Sequence, residues 1–547
     1  MNVLMASGVP SAEACPRVEG RERIAAEFVG YLMDESRTTA EPVETIFFPQ
    51  KVAHVCAAVR ECAAKGWPLT VAGARTGIVG GAVPIGSRAV LAMERLSRIL
   101  SVRYDEERQA FFARVEAGVV LADFQEALRN TPLRDVPWAD EASRRAAGRL
   151  LTGSGRRLFY PVDPTETSAQ IGGTVATNAS GARTYHYGAT REWVEAVTVV
   201  LASGEVLTLR RSEVKAEGRA LVLRAADGRE TRLCIPTAAM PRTTKHTAGY
   251  WLRADMDAVD LFVGSEGTLG IITEAELRLA LEPRERLFMT AWLPDEKAAV
   301  GFVSAVRKTR ASGLEVLAIE YFGPCALDLL REKRAREGAS SGVPPLPDTA
   351  GCAVYVEIEF DGDEPLRRCY EGTCKLLERF GTAPSVTWAG LSAGDMRAMK
   401  TFRHALPEEV NRIIGERKRE VPSLHKVGTD MAVPPELTAD ALALYRARLE
   451  DSGLEHVIFG HIGDGHLHVN ILPRTEEELA RALELYGEFA HEIVAMRGSV
   501  SAEHGIGRLK RKFLRIQFAG DPKALEGMEA LKRQMDPKGL LGPGVLF

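Results

Sequence analysis

Apolar positions along the chain switch between helical and strand-like spacing in a fixed order. Residues 50–66 place Val52, Val55, Val59 and Cys62 at helical intervals, and Gly66 ends the run. Leu69-Thr70-Val71 predicts a short buried strand leading directly into AGARTGIVGGAVP, residues 72–84. Residues 89–121 carry two strand-like runs, AVLAM and FFARVEAGVVL. EAVTVVLASGEVLTL predicts a hairpin that turns at Ser203-Gly204. After about Glu282 the texture changes. Strand-like RLFMTAWL, LEVLAIEYF and AVYVEIEF alternate with amphipathic DEKAAVGFVSAVRKT and EPLRRCYEGTCKLLERFG. That alternation predicts an α+β domain with an antiparallel sheet. The clearest helix spans 475–497. Thr475 and Glu478 form a capping-box signature, Leu479, Leu483, Tyr486, Ala490 and Ile493 line one face, and Gly498 ends it.

A length of 547 residues exceeds one compact core, so two or three domains are expected. With 45% hydrophobic and 26% charged residues, the composition excludes disordered, collagen-like and disulfide-stapled classes. A net charge of −4 gives no global case for nucleic acid. Eight scattered cysteines without a CxxC pair argue against a thiolate metal site and suit a reducing compartment. No run approaches the roughly 18 apolar residues of a membrane span, and the first residues lack a targeting pattern. Residues 1–40 are therefore expected to be a frayed lead-in, and the protein cytoplasmic. Residues 138–157 concentrate Arg144, Arg145, Arg149, Arg156 and Arg157. They predict a solvated surface insertion, with a docking patch or site lid as the sharper reading.

Three loops of small residues suggest a ligand lying against backbone. The first, Gly73 to Gly81, follows a strand. It comes in the order helix, strand, glycine loop, unlike a strand–GxGxxG–helix dinucleotide motif, and no Walker sequence is present. Successive N–H groups in such a loop can hold phosphate oxygens, and Thr76 can add a hydroxyl. The second loop, Ile171 to Gly181, and the third, Gly264 to Gly270, repeat the style.

AGARTGIVGGAVP resembles the pyrophosphate loop of FAD-linked oxidoreductases of the vanillyl-alcohol oxidase (PCMH-type) fold. PVDPTETSAQIGGTVATNASGARTYHYGATREWV resembles that family's second flavin segment. KHTAGYWL with LFVGSEGTLGIITE resembles the third. The resemblance implies a two-subdomain α+β FAD-binding domain over residues 41–281. Gly73, Ala74, Arg75, Thr76 and Gly77 would hold the pyrophosphate. Asp163, Ser168, Gly172, Gly173, Thr177, Gly181, Gly270 and Ile272 would line the rest of a non-covalent FAD. Ala74 and Arg75 replace the commoner glycines and make the loop bulkier. The ending MDPKGLLGPGVLF implies a tail, 531–547, that returns to the flavin domain from a substrate- and metal-binding cap, 282–530.

Histidine is the informative count. Six of eleven fall between 456 and 504, where even scatter would put about one. In VIFGHIGDGHLHVNIL, the strand places His466, His468 and Asn470 on one face. SVSAEHGIGRLKR supplies Glu503 and His504. Imidazoles with one carboxylate are a usual ligand set for zinc or a similar ion.

These strings resemble the D-2-hydroxyacid dehydrogenase branch of the flavin family, which includes D-lactate, D-2-hydroxyglutarate and glycolate dehydrogenases. The resemblance implies a divalent metal, zinc or manganese, on His461, His468 and Glu503, with His504 as catalytic base. His466 stands where Asn is commoner, and its role is left open. Arg403, in KTFR, would pair the substrate carboxylate, and Asn470 is a further candidate substrate contact. Oxidising the alcohol requires removal of the O–H proton and the C–H hydride, tasks suited to His504 and FAD. The electron acceptor would be a quinone, cytochrome or electron-transfer flavoprotein. Contact with a membrane surface or a partner subunit would follow from where that acceptor resides. Two alternatives share the fold: an FAD-binding subunit of a glycolate-oxidising complex, and a non-redox transferase like alkylglycerone-phosphate synthase.

Overall fold

A computed structural model describes residues 14–130, 136–152, 155–226, 228–309 and 315–547. The fold is α+β, built on three main sheets.

In the first sheet, strands Thr45–Phe47, Ala89–Ala92 and Leu69–Ala72 run parallel, and helix Val52–Lys65 connects the first to the last. The helix buries Val55, Val59 and Cys62 and stops where Gly66 turns left-handed at φ 62°. Residues 1–13 lie outside the described residues, but the expected lead-in is folded from Cys15 onward. Arg17–Glu19 pairs antiparallel with Thr45–Phe47, and Ile24 and Leu32 are buried. Short apolar positions, too sparse to mark an element in sequence, suffice once an open sheet edge accepts them. The tail closes the other edge: Leu69 N–H donates to Leu540 O at 2.7 Å, and Gly542 N–H to Leu69 O at 2.9 Å.

The second sheet has the order Ile99–Asp105, Ala110–Glu116, Ile271–Leu281, Val194–Val200, Val206–Arg210, all antiparallel. Gly204 turns the last hairpin at φ 80°. The arginine-rich segment holds Arg144, Arg145 and Arg149 at the surface, as expected, and is itself folded. It forms helix Glu141–Ala147, N-capped by Asp140, and buries Ala146, Ala147 and Leu151. Ser143 Oγ accepts the Tyr104 N–H at 2.9 Å, fastening the helix to the sheet. Arg144 pairs with Glu141 and Arg149 with Glu106, so its charge is largely answered locally.

The third sheet, in the cap, is antiparallel. Its order is Trp388–Gly390, Glu285–Leu293, Cys352–Phe360, Glu315–Phe322, His456–Gly460, His466–Ile471, Val427–Gly428, and Met431–Ala432 also pairs His466–Ile471. One continuous apolar core runs from the flavin-side sheet into this cap, joining Val175, Tyr321, Ile462 and Ile506. Helix Glu476–Ala495 begins as expected, with Thr475 Oγ1 accepting the Glu478 N–H. Its buried face differs by one position: Leu483 is 37% exposed, and Ala482, Leu485 and Phe489 are buried instead. Among the described residues no helix is long and apolar enough to cross a membrane.

Candidate active site

Parallel strand Leu69–Ala72 ends in the first small-residue loop, which forms one wall of a cavity of about 360 Å³. Gly73, Ala74, Arg75, Thr76 and Gly77 line it, joined by Gly172, Gly173 and Thr177 from the second loop and Gly270 and Ile272 from the third. Arg75 fits a position that favours glycine. It adopts φ 62°, its guanidinium stacks over the Tyr31 ring at 4.2 Å, and Nη1 donates to Gly73 O at 3.2 Å.

Three of the expected flavin residues, Asp163, Ser168 and Gly181, are not among those that line the cavity. Asp163 turns its carboxylate to the Arg183 N–H at 3.1 Å. Gly181 packs so closely on Asp163 that a Cβ would meet its carbonyl oxygen at 1.9 Å. Ser168 is exposed, and its N–H donates to Glu166. Among the described residues, no part of the arginine-rich helix lines the cavity, which leaves the lid reading without a basis.

The far wall carries Glu503 and His504. Strand His456–Gly460 delivers His461 to a tight turn, and strand His466–Ile471 returns with His466 and His468 on one face. Gly460, at φ 124°, permits the crossing: a Cβ there would meet the His468 ring at 2.7 Å. One donor atom each from His461, His466, His468 and Glu503 lies within 4.8 Å of the others. His466 thus joins the three ligands expected from sequence. It is fully buried, with Nε2 3.4 Å from Asp430 Oδ1 and Nδ1 3.9 Å from Glu503 Oε1. Asn470 lies on the same strand, buried, opposite Gly428.

The surrounding charges fix this set. Glu320, from the cap sheet, accepts His461 Nδ1–H at 2.6 Å and Arg403 Nη2–H at 3.0 Å. Burial pushes the Glu320 carboxyl up, but His461 and Arg403 outweigh it and hold it down at about 2. Burial likewise pushes His461 down, and Glu320 outweighs that and lifts it to about 9. Cation binding at Nε2 would therefore release a proton. On the other side, Asp430 accepts the backbone N–H of Glu503 and of His504, and lies 3.3 Å from His504 Nδ1. Burial holds His504 below its ordinary value, so the imidazole is neutral and free to take a proton. Lys245, fully buried, donates to Glu503 Oε1 and to Gly181 O, both at 2.7 Å.

Lys245, Glu320 and Asp430 were not singled out in the sequence. Glu320 left a signal, a carboxylate between Ile319 and Tyr321 in the apolar part of the strand-like run LEVLAIEYF, whose other carboxylate, Glu315, stands at its start. Lys245 sits within KHTAGYWL, a string that carries the resemblance, but nothing local marks its burial or that of Asp430.

Known proteins resemble this chain along nearly its whole length. Residues 282–546 match the family described as FAD linked oxidases, C-terminal domain, and residues 43–140 and 149–210 match FAD binding domain. A D-2-hydroxyglutarate dehydrogenase of Xanthomonas citri pv. viticola is 30% identical over 520 residues, 93% of this chain and 90% of its own. A D-lactate dehydrogenase of Anaerostipes hadrus is 26% identical, covering 90% and 86%. The glycolate oxidase subunit GlcD of Bacillus subtilis is 25% identical, covering 92% and 89%. Among solved structures, alkyldihydroxyacetonephosphate synthase superposes with a TM-score of 0.57 at 16% identity, over 99% of this chain and 83% of that one. At that identity the likeness speaks for the fold alone.

Proposed function

Because the chain belongs to the FAD-linked oxidases, in their D-2-hydroxyacid dehydrogenase branch, it is an FAD-dependent D-2-hydroxyacid dehydrogenase, and we propose that His504 is its base at a metal-assisted site. One observation carries the reading: the cavity walled by the three small-residue loops also exposes His504 and Glu503.

The residues present fit both groups. The loop backbone from Gly73 to Gly77, with Gly172 and Gly173, offers N–H groups and room for a flat non-covalent flavin, and Gln170 Oε1 is buried there without a partner. His461, His466, His468 and Glu503 offer three imidazoles and one carboxylate, a donor set that favours a cation such as zinc or manganese. FAD when bound supplies the hydride acceptor, and the divalent ion supplies the charge that acidifies the substrate hydroxyl.

The protein's own groups do the remaining work. Arg403 uses one guanidinium nitrogen on Glu320 and keeps other N–H groups for the substrate carboxylate. Glu320 fixes the distance between that guanidinium and His461, so the carboxylate and hydroxyl subsites are held in register. His504 accepts the hydroxyl proton at the ring nitrogen not facing Asp430. Asn470 is a candidate contact on the same strand face. The electron acceptor is taken to be a quinone, cytochrome or electron-transfer flavoprotein.

Anaerobic bleaching of the flavin with D-lactate, glycolate and D-2-hydroxyglutarate tests the reading and ranks the substrates. Chelation and His504→Ala should each abolish bleaching while FAD stays bound. Single-turnover bleaching that survives in His504→Ala removes the base from the scheme.

A further inference from the structure

Lys245 is the most deeply buried cation beside the ligand set, and the reaction as derived gives it no task. Its side chain has no exposed surface. Nζ lies 2.7 Å from Glu503 Oε1, 2.7 Å from Gly181 O and 3.3 Å from Asp464 Oδ2. The oxygen it takes is the one that faces the imidazoles. Glu503 Oε1 is 3.5 Å from His461 Nε2 and 3.9 Å from His466 Nδ1, and it accepts Ser180 Oγ–H at 3.3 Å. The Lys245 carbonyl accepts Thr243 Oγ1–H at 2.7 Å, a local turn within the same segment.

We infer that Lys245 tunes the metal site, weakening its hold on the ion and sharpening the ion's acidity, by sharing Glu503 Oε1 with it. The inference rests on the metal reading above. An oxygen already hydrogen-bonded to an ammonium donates less charge to a second cation. Repulsion between an ammonium and a dication a few ångströms apart is large in a dry interior. Both effects lower affinity. The same effects leave the ion more electron-poor, and so better able to acidify a substrate hydroxyl. Asp464 keeps the arrangement tolerable: a buried ammonium needs more than one acceptor, and Asp464 stands on the turn that also carries His461. Lys245 is thus a positioning residue that acts through Glu503.

The test is equilibrium dialysis of Mn(II) and of Zn(II) against FAD-loaded protein. Lys245→Met and Lys245→Gln are expected to bind the ion at least about tenfold more tightly than the parent. Lys245→Arg, which keeps the charge, should stay within about threefold. The pH at which D-2-hydroxyacid half-reduces the flavin should move upward in the neutral variants and stay put in Lys245→Arg. Unchanged or weaker ion binding in neutral variants that retain FAD overturns the inference and assigns Lys245 a purely structural role. If the single neutral variants do not fold, Lys245→Met/Asp464→Asn removes the ammonium with its second carboxylate and keeps the interior balanced. It should bind the ion more tightly than Asp464→Asn alone, and equal or weaker binding overturns the inference. A parent protein that takes up neither ion instead removes the metal reading itself, a distinct result.

Discussion

Arg183, on the flavin side, donates to both oxygens of Glu357 in the cap sheet, through Nε at 3.1 Å and Nη2 at 2.8 Å. Glu357 is 2% exposed and also faces Arg286 Nε at 3.7 Å. The pair therefore clamps the two halves of the molecule from within. Removing one partner leaves an uncompensated charge in the interior, at a cost of about 3–5 kcal/mol. Glu357→Ala is expected to lower the melting temperature strongly, whereas Arg183→Leu/Glu357→Leu should recover much of the loss. Equal melting of parent and Glu357→Ala rejects the clamp.

Asp430 gathers the segment that carries His504, the proposed base. Its carboxylate accepts the Glu503 and His504 N–H groups, Ser501 Oγ–H and Lys510 Nζ–H, and lies beside His504 Nδ1. Burial pushes the carboxyl up, but His504 and Lys510 outweigh it and hold it well below the ordinary range. An anion there favours the tautomer with the proton on Nδ1, leaving the other nitrogen to accept. Asp430→Asn should retain FAD while flavin reduction slows by about 10²–10⁴-fold. A rate within tenfold of the parent means His504 is oriented without Asp430.

What the sequence disclosed and what it withheld divide along physical lines. The alternation of apolar residues marked the cap strands, and Gly66 and Thr475 marked helix ends, because those signals act within a few residues. His461, His468 and Glu503 could be marked as candidate ligands because the compact strings that hold them carry the resemblance. Glu320 and Lys245 were not, since their meaning arises only where Glu315–Phe322 pairs with His456–Gly460 and where the 243–250 segment passes under Glu503. The resemblance assigned Asp163 and Gly181 to the flavin, and in the fold the two pack directly on each other, a contact no local pattern marks. Leu483 shows the same limit on a smaller scale: helical spacing defines a stripe, but the neighbours decide which edge of it is covered.

Glu320 links two subsites, and its loss should register in both. A carboxylate on the far nitrogen of a metal-binding imidazole orients the ring and raises its basicity, and removing such a partner typically costs 10–100-fold in metal affinity. Glu320→Gln is expected to weaken Mn(II) or Zn(II) binding by about that factor and to raise KM for the hydroxyacid, because Arg403 loses its anchor. Arg403→Lys should raise KM with little change in metal affinity, since a point charge replaces the planar fork. Equal metal affinity in Glu320→Gln and the parent dissociates the two subsites.

Glu266 connects the third small-residue loop to the segment after His504, accepting the N–H groups of Ile506 and Gly507, each at 2.8 Å. Burial pushes its carboxyl from about 4.5 up to about 7, against the pull of those two N–H groups. A carboxyl raised on folding is easier to bury protonated. Its contribution to stability is therefore complete below about pH 4.5 and is lost as the pH rises through about 7, by at most about 3 kcal/mol. Glu266→Gln keeps a carbonyl oxygen for one of the two N–H groups, sets its amide nitrogen against the other, and removes the titration. Glu320, Asp430 and Glu503 are held low and impose the opposite slope, whereas burial raises Asp464 and Asp163 to about 6, so the informative quantity is the difference between the two proteins. The melting temperature of the parent is expected to fall relative to Glu266→Gln between pH 5 and 8, with FAD retention following it, because Glu266 lines the cavity. Parallel melting curves across that range mean that the carboxylate is ionised and solvated throughout, and that the tie to Ile506 and Gly507 is insensitive to its charge.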